Sequence, residues 1–217
     1  MKKITAIEPQ KQAPNRVNVH LDRKFAFGLS RIVAAWLKVG LELDEEKIER
    51  LQAEEARERA FQQALLFLSY RARSESEIRQ NLDKHGTSEP VIEQTIERLR
   101  QSGLVNDDQF ARLWVENRNT FSPRSKRMMA MELRQKGLDG NAVASAIENV
   151  DDESLAYEAA LKRAGRLRDL EWNEFRRKLS EYLARRGFSY PVIAPAVARV
   201  WNEMHSEEEH YEEEDLT

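Results

Sequence analysis

The chain has 217 residues, 41% of them hydrophobic and 34% charged, and it contains no cysteine. No stretch approaches the roughly eighteen apolar residues of a spanning helix, and neither disulfides nor thiolate chemistry is available. The net charge of −3 includes seven acids and no base in residues 206–217, so residues 1–205 carry +4, which is short of the strongly basic balance of an autonomous DNA-binding domain.

Met1 to Ile4 show neither the apolar run nor the small-residue cleavage site of a secretory signal, so the expected address is cytoplasmic. Residues 1–30 have strand periodicity. After Ile4-Thr5-Ala6-Ile7, the residues Val17, Val19 and Leu21 alternate with polar neighbours, and Phe25, Phe27 and Leu29 follow in the same phase. Asp22-Arg23-Lys24 is the expected hairpin turn, without the Asn-Gly signal that would set its type. From Arg31 the spacing becomes helical, and Asp44 opens a helix with Ile48 and Leu51 on one face. The Glu-, Arg- and Ala-rich residues 52–60 either continue that helix or form a solvated spacer. An N-terminal part, 1–58, is therefore expected to hold a β-hairpin plus helices.

The rest repeats. One apolar skeleton occurs three times, hung on Gly86, Gly137 and Gly187. Ile78, Met129 and Leu179 stand eight residues before the glycines, and Leu82, Leu133 and Leu183 stand four before. A base, Lys84, Lys136 or Arg185 with Arg186, comes just ahead of each glycine. This is a helix ending on a left-handed glycine cap. Ser88, Asp139 and Ser189 follow as N-caps, and then apolar residues at helical spacing: Ile92, Ile96, Leu99; Val143, Ile147, Val150; Ile193, Val197, Val200. Pro90 and Pro191 fit a first helical turn, whereas Pro195 lies deeper and predicts a kink or a weakened turn.

Two short helices at a corner leave an apolar face open, so each copy needs a third helix. Phe61, Leu65 and Leu68 supply one, Phe110, Trp114 and Val115 the second, and Leu155, Ala159 and Leu161 the third. Ser74 with Glu77 forms a capping box, and Asn106-Asp107-Asp108 and Asp151-Asp152 open helices. The junction before the middle helix varies between copies, with Ser122-Pro123 in one and Asp169 in another. The predicted fold is mainly α: three tandem three-helix, helix-turn-helix-like repeats (59–103, 104–150, 151–205) in a curved array. A small β-hairpin and helical segment precede them, and an acidic disordered tail, 206–217, follows.

Motifs for bond-making chemistry are missing. There is no phosphate loop, no His-Glu-x-x-His and no Gly-x-Ser-x-Gly. His20, His85, His205 and His210 are scattered without a second ligand at metal spacing. The paired acids Asp107-Asp108 and Asp151-Asp152 are accounted for as helix starts. The expectation is a protein that is not an enzyme and takes no cofactor or metal.

What remains is surface charge. Arg118, Arg124, Lys126, Arg127, Arg134 and Lys136 face one acid, Glu132, within residues 118–136. Arg176, Arg177, Lys178, Arg185 and Arg186 face Glu181 within 176–186, and Arg71 and Arg73 flank Ser74. Such bases are either a solvated face favoured at helix C-termini or contacts to a regularly spaced anionic partner, phosphate or carboxylate. Met129 belongs to the core skeleton, while Met128 and Met131 are available as adaptable contact surface.

Four strings carry a resemblance: Leu68-Ser69-Tyr70-Arg71-Ala72-Arg73-Ser74-Glu75-Ser76-Glu77-Ile78-Arg79, Gly103-Leu104-Val105-Asn106-Asp107-Asp108-Gln109-Phe110-Ala111-Arg112, Glu132-Leu133-Arg134-Gln135-Lys136-Gly137 and Arg185-Arg186-Gly187-Phe188-Ser189-Tyr190. Together they resemble the RecX regulatory proteins over roughly residues 61–200, in order through all three repeats, and the N-terminal hairpin is similar to an extension found in some members. Ala72 and Ser122 depart from the family pattern, where a proline and a Gly-Pro pair are frequent. The resemblance implies a non-enzymatic modulator, above all an inhibitor, of the RecA recombinase. Such a protein lies in the groove of the RecA–DNA filament and restrains filament growth, ATP hydrolysis and strand exchange. The implied partners are RecA and the RecA–DNA filament, with weak direct binding to single- or double-stranded DNA as a further possibility; no membrane partner and a monomeric state are expected. Read from the residues alone, a sequence-independent DNA-binding protein and a purely structural scaffold remain open beside it. The partner contacts expected on this reading are Arg71, Arg73, Arg118, Arg124, Lys126, Arg127, Arg134, Lys136, Arg176, Arg177, Arg185 and Arg186.

Overall fold

Alternation in the first thirty residues builds more than the expected hairpin. In the computed structural model, which describes residues 1–214 and side chains up to 206, strands β1 (Lys2–Gln10), β2 (Ala13–Leu21) and β3 (Lys24–Ser30) form an antiparallel meander. A short β4 (Glu42–Leu43) joins the free edge of β1, giving the order β3-β2-β1-β4. The β2–β3 connection is a two-residue turn with both Asp22 (φ 49°) and Arg23 (φ 67°) in the left-handed region, the pattern of a type I′ turn without glycine. Local bonds offset the strain of an arginine there: Arg23 N–H donates to Thr5 Oγ1 at 2.9 Å, and Lys3 N–H to the Asp22 carboxylate at 3.1 Å.

The expected common phase of Phe25, Phe27 and Leu29 does not hold. Val17 pairs with Leu29 and Val19 with Phe27, but His20 pairs with Phe25, so the register shifts by one residue between them. A one-residue shift turns a side chain to the other face. Leu29 is buried, while Phe25 is 61% exposed and meets His20 edge-on. Helix from Arg31 is also corrected. Residues 31–36 form successive turns that press Val33, Ala34 and Leu37 onto the sheet, and Gly40 (φ 96°) then returns the chain so that its N–H reaches Ile4 O at 2.8 Å. The edge of β1 competes for that backbone and wins.

Helix α1 (Glu45–Tyr70) then runs unbroken for 26 residues, so residues 52–60 are helix, not spacer. Asp44 caps it, accepting from Lys47 N–H at 2.8 Å. At about 1.5 Å per residue it is some 39 Å long. Its first half covers the sheet through Leu51, and its second half packs Ala60, Phe61 and Ala64 on α2 (Glu75–Lys84) and α3 (Glu89–Gln101). Everything to Asn106 belongs to one compact unit.

The second unit, from Asp107 onward, holds α4 (Asp107–Phe121), α5 (Lys126–Gln135), α6 (Gly140–Ala146), α7 (Asp152–Ala164), α8 (Trp172–Arg185) and α9 (Tyr190–Glu214). These six helices share one continuous apolar core running from Phe110 to Val200. The skeleton residues are buried in both units except Ile147 and Val150, which pack half-buried on the same core. Gly86, Gly137 and Gly187 all have positive φ, and Thr87, Leu138 and Phe188 each donate back to the leucine five residues earlier, closing a Schellman corner. Gly103 makes the same corner between α3 and α4, with Leu104 N–H bonded to Leu99 O.

Three expectations change in the second unit. Leu161 is half exposed, and Ala160 and Ala164 take the core positions of α7 instead. The cap before α5 is Ser125 rather than Ser122-Pro123. The third middle helix, α8, has Glu171 rather than Asp169 at its N-cap and begins one turn earlier than its counterparts, with the buried Phe175 where Ser74 and Ser125 cap the others. Helix α9 passes through Pro195, whose ring is exposed, and its backbone continues to Glu214, beyond the boundary expected at 205/206. Residues 215–217 and the side chains from 207 onward, where the acidic tail was expected, lie outside the described residues.

Candidate partner-binding surface

The first patch is built around an acid. Glu132, on α5, is only 8% exposed and gathers three donors: Trp114 Nε1 at 2.8 Å, Arg118 Nε at 2.8 Å, and Arg124 Nη1. Arg118 and the Lys136 ammonium both lie against the Trp114 ring, at 4.7 and 5.3 Å from its centroid. A buried carboxylate demands such compensation. Two of the six expected contact cations thus hold the α4–α5 pair together. Lys126 is engaged as well, its ammonium donating to Glu148 O at 2.9 Å.

The second patch is divided in the same manner. Arg177 pairs with Glu181 at 3.0 Å and Lys178 with Glu174 at 2.8 Å. Lys178 helps to hold the Glu174 carboxyl below its usual value and is the largest cause of that shift. Arg186 stacks on Tyr182 at 4.6 Å and donates to Pro123 O at 2.8 Å and Ser122 Oγ at 3.2 Å. In the first unit Arg71 forms a two-pronged bridge to Glu77, at 2.8 and 3.1 Å. Arg73 lies over Phe67 at 3.8 Å with its Nε buried and unbonded, and burial, followed by the charge of Arg71, lowers its pKa.

Arg127, Arg134, Arg176 and Arg185 are different: all four are exposed and make no ion pair among the described residues. Two of them are brought to one place. The Ser125 N–H donates to Arg186 O at 3.1 Å, so the N-terminal end of α5 abuts the C-terminal end of α8, and a Cβ on Gly187 would stand 2.6 Å from Ser125 Oγ. The stretches Arg124–Arg127 and Arg185–Arg186, separate in sequence, therefore form one junction. Arg134 sits two turns along α5, about 10 Å from Arg127, and Arg176 lies at the far end of α8.

The helix dipole separates these cations by cause. Arg134, Lys136 and Arg185 occupy last turns or C-caps, where positive charge is favourable. Lys126 and Arg127 occupy the first turn of α5, where it is unfavourable, and that turn contains no acid of its own. Part of the mismatch is met from outside the helix: Asp152, at the start of α7, accepts from Lys126 N–H at 2.6 Å, and Ser125 caps Met128 N–H at 3.2 Å. Arg127 receives no such partner. A cation held against the dipole with no ion pair among the described residues is placed there at a cost to the fold. Beside it, Met128 is half-buried and Met131 exposed, while Met129 is in the core, and Phe121 at the end of α4 is exposed.

Sequence counting missed the hub role of Glu132 and the bracing role of Asp152, since both depend on contacts between helices. The Ser125 cap carries a signal, because it precedes Gly137 by the same twelve residues that separate Ser74 from Gly86.

Comparison with known proteins covers most of the chain. Family models match in order: the regulatory protein RecX N-terminal domain at residues 2–44, and the first, second and third RecX three-helix domains at 60–99, 106–147 and 151–197. Regulatory protein RecX of Bacillus pumilus (strain SAFR-032) is 34% identical over 212 residues, 95% of this chain and 80% of that protein. Regulatory protein RecX of Bacillus subtilis (strain 168) is 34% identical over 203 residues, 91% and 76% of the two chains. Among solved structures, a crystal structure of regulatory protein RecX superposes with a TM-score of 0.66 at 30% identity, covering 88% of this chain and 97% of that one. One of RecX from Lactobacillus salivarius shares the fold with a TM-score of 0.58 at 24% identity, covering 68% and 97%.

Proposed function

The chain belongs to the RecX family of regulatory proteins, and from that premise we propose that it is a non-enzymatic inhibitor of RecA that binds the RecA–DNA filament and restrains filament growth, ATP hydrolysis and strand exchange. One observation supports a polyanionic partner more than any other: Arg127 is exposed, without an ion pair among the described residues, and set against the dipole of α5, at a junction it shares with Arg185. Arg134 and Arg176 extend the same free charge along α5 and α8. The family's regulatory name and the absence of a catalytic motif in the sequence agree with action by binding. A net charge of −3, and of only +4 on residues 1–205, favours a protein–DNA filament over naked DNA as the main target.

The test is titration of the protein into RecA filaments on single-stranded DNA, reading ATP hydrolysis and strand exchange. Inhibition at protein concentrations well below those needed to bind naked DNA is the expected result. Tight binding to naked DNA at physiological salt, with a steep salt slope and no dependence on RecA, would replace this reading with the sequence-independent DNA binder. No effect on either RecA activity would leave only a scaffold.

A further inference from the structure

The first unit carries a groove that the reading above does not use. Two adjoining cavities, of about 330 and 500 Å³, lie between the turns at 31–36 and helix α1, the first closed also by α3 and the second by β2, and they share Ile32 and Glu58 in their walls. The groove's apolar lining includes the exposed Ile32 (68%) and Trp36 (52%) and the buried Phe61. Large exposed apolar side chains clustered in a concavity mark a contact surface rather than random surface variation.

The charges around it are sorted in the same way as in the second unit. The acids are consumed: Glu55 is bonded to Arg16 at 2.6 Å and accepts from Ser30 N–H, and Glu58 accepts from Arg98 at 3.0 Å, with the Arg98 guanidinium lying 3.5 Å above Phe61. The remaining rim cations, Arg31, Arg57 and Arg59, are exposed and have no ion pair among the described residues, against one exposed acid, Glu54. An exposed apolar lining beside surplus guanidinium charge complements a segment that combines carboxylates with a large apolar anchor.

We propose that this groove docks an acidic peptide segment of a partner protein, with an aromatic or large aliphatic side chain seated against Trp36 and Ile32 and its carboxylates on Arg31, Arg57 and Arg59. A peptide fits better than a nucleic acid. The exposed Ile32 and Trp36 offer a seat to one large apolar side chain, which a phosphate backbone lacks, while Glu58, in the wall of both cavities, is already bonded to Arg98, so the free charge is that of Arg31, Arg57 and Arg59 at the rim.

The probe is a fluorescein-labelled synthetic peptide, Glu-Glu-Leu-Glu-Glu-Trp-Glu-Glu, titrated with the full chain and read by anisotropy, so no RecA is needed and the outcome is independent of the filament reading. Trp36→Ala and the double variant Arg57→Glu with Arg59→Glu are each expected to weaken binding at least about tenfold, with circular dichroism unchanged. Both side chains of the double variant are exposed, on the two flanks of Glu58, and it serves where Trp36→Ala disturbs folding. A control peptide with Ala for both Leu and Trp is expected to bind at least about tenfold more weakly. The proposal is overturned if the double variant binds the peptide like the unaltered protein, if the control peptide binds equally well, or if a single-stranded oligonucleotide binds more tightly and with the same dependence on Trp36.

Discussion

Replacing Arg127 with Glu separates fold from function at one position. The N-terminus of a helix carries roughly half a positive charge, so a cation in the first turn costs, and an anion contributes, about 0.3–1 kcal/mol. Helix α5 starts at Lys126 with no acid in its first turn. Arg127→Glu therefore changes an unfavourable term into a favourable one, worth about 1 kcal/mol, or a rise of roughly 2–4 °C in Tm for a chain of this size. The side chain is exposed and has no ion pair among the described residues, so no ion pair described in the protein is lost. Binding should move the opposite way, because a charge-assisted contact to an anionic partner is worth about 1.5–3 kcal/mol and its loss is about a 10- to 100-fold rise in the concentration that half-inhibits RecA-driven ATP hydrolysis. Thermal unfolding and ATPase titration of Arg127→Ala and Arg127→Glu should thus order oppositely, with Glu the more stable and the weaker inhibitor. An inhibition curve for Arg127→Glu that superposes on that of the unaltered protein would refute the argument from the dipole to the partner. The triple replacement of Arg124, Lys126 and Arg127, suggested by charge counting alone, is a poorer test, because Arg124 and Lys126 hold Glu132 and Glu148.

Other outcomes follow from the packing. Glu132→Gln leaves Arg118 and Arg124 uncompensated beside a buried site and should cost about 1–3 kcal/mol in urea unfolding, discounted for the partial exposure of both arginines; an unchanged midpoint would deny Glu132 its role. Gly86→Ala meets only open space and should cost about 1 kcal/mol for its positive φ, whereas Gly187→Ala also drives a Cβ toward Ser125 Oγ and Met128 and should cost at least about 2 kcal/mol more; equal losses would contradict the close approach of α5 and α8. Asp139→Ala removes a carboxylate that accepts two N–H groups and should cost about 1–2 kcal/mol, while Ser88→Ala, whose hydroxyl makes no cap bond, should be close to neutral in the same measurement. Acid should destabilise the protein. Asp151 is held below its usual pKa chiefly by the Ser154 hydroxyl and Glu93 chiefly by Arg79, so their contributions are complete above the unfolded values of about 4 and fade as pH falls through the lower folded ones. A Tm that stays flat from about pH 5 to pH 2 would contradict both assignments.

What the sequence revealed is what local physics controls. A left-handed corner accepts glycine at little cost, so Gly86, Gly137 and Gly187 announce their corners, and apolar residues at fixed distances from a corner announce which face is buried. The capping box at Ser74 and the cap at Asp44 are legible for the same reason, since donor and acceptor lie within one turn. Failures begin where the decision is made by distant chain. Arg31–Trp36 have helical spacing, but the edge of β1 takes the following backbone and prevents a helix. Phe25 keeps the alternation of its strand in sequence and loses it in space, because a register shift against β2 leaves no trace in composition.

The same division explains why the candidate surface was overcounted. A list of arginines gives net charge by segment, and by that measure one glutamate within 118–136 is a minor offset. In the folded unit that glutamate is buried between α4 and α5 and must be neutralised where it stands, so it withdraws Arg118 and Arg124 from the surface. Tyr182 and the Pro123 carbonyl do the same to Arg186. What is left for a partner is decided by subtraction, and the subtraction leaves Arg127 and Arg185 at a junction between segments some sixty residues apart. Arg185 sits where the end of α8 favours it and is stabilising whether or not a partner exists. Arg127 has no such excuse, and for that reason its replacement, rather than that of any more basic stretch, distinguishes a surface kept for binding from one that is merely solvated.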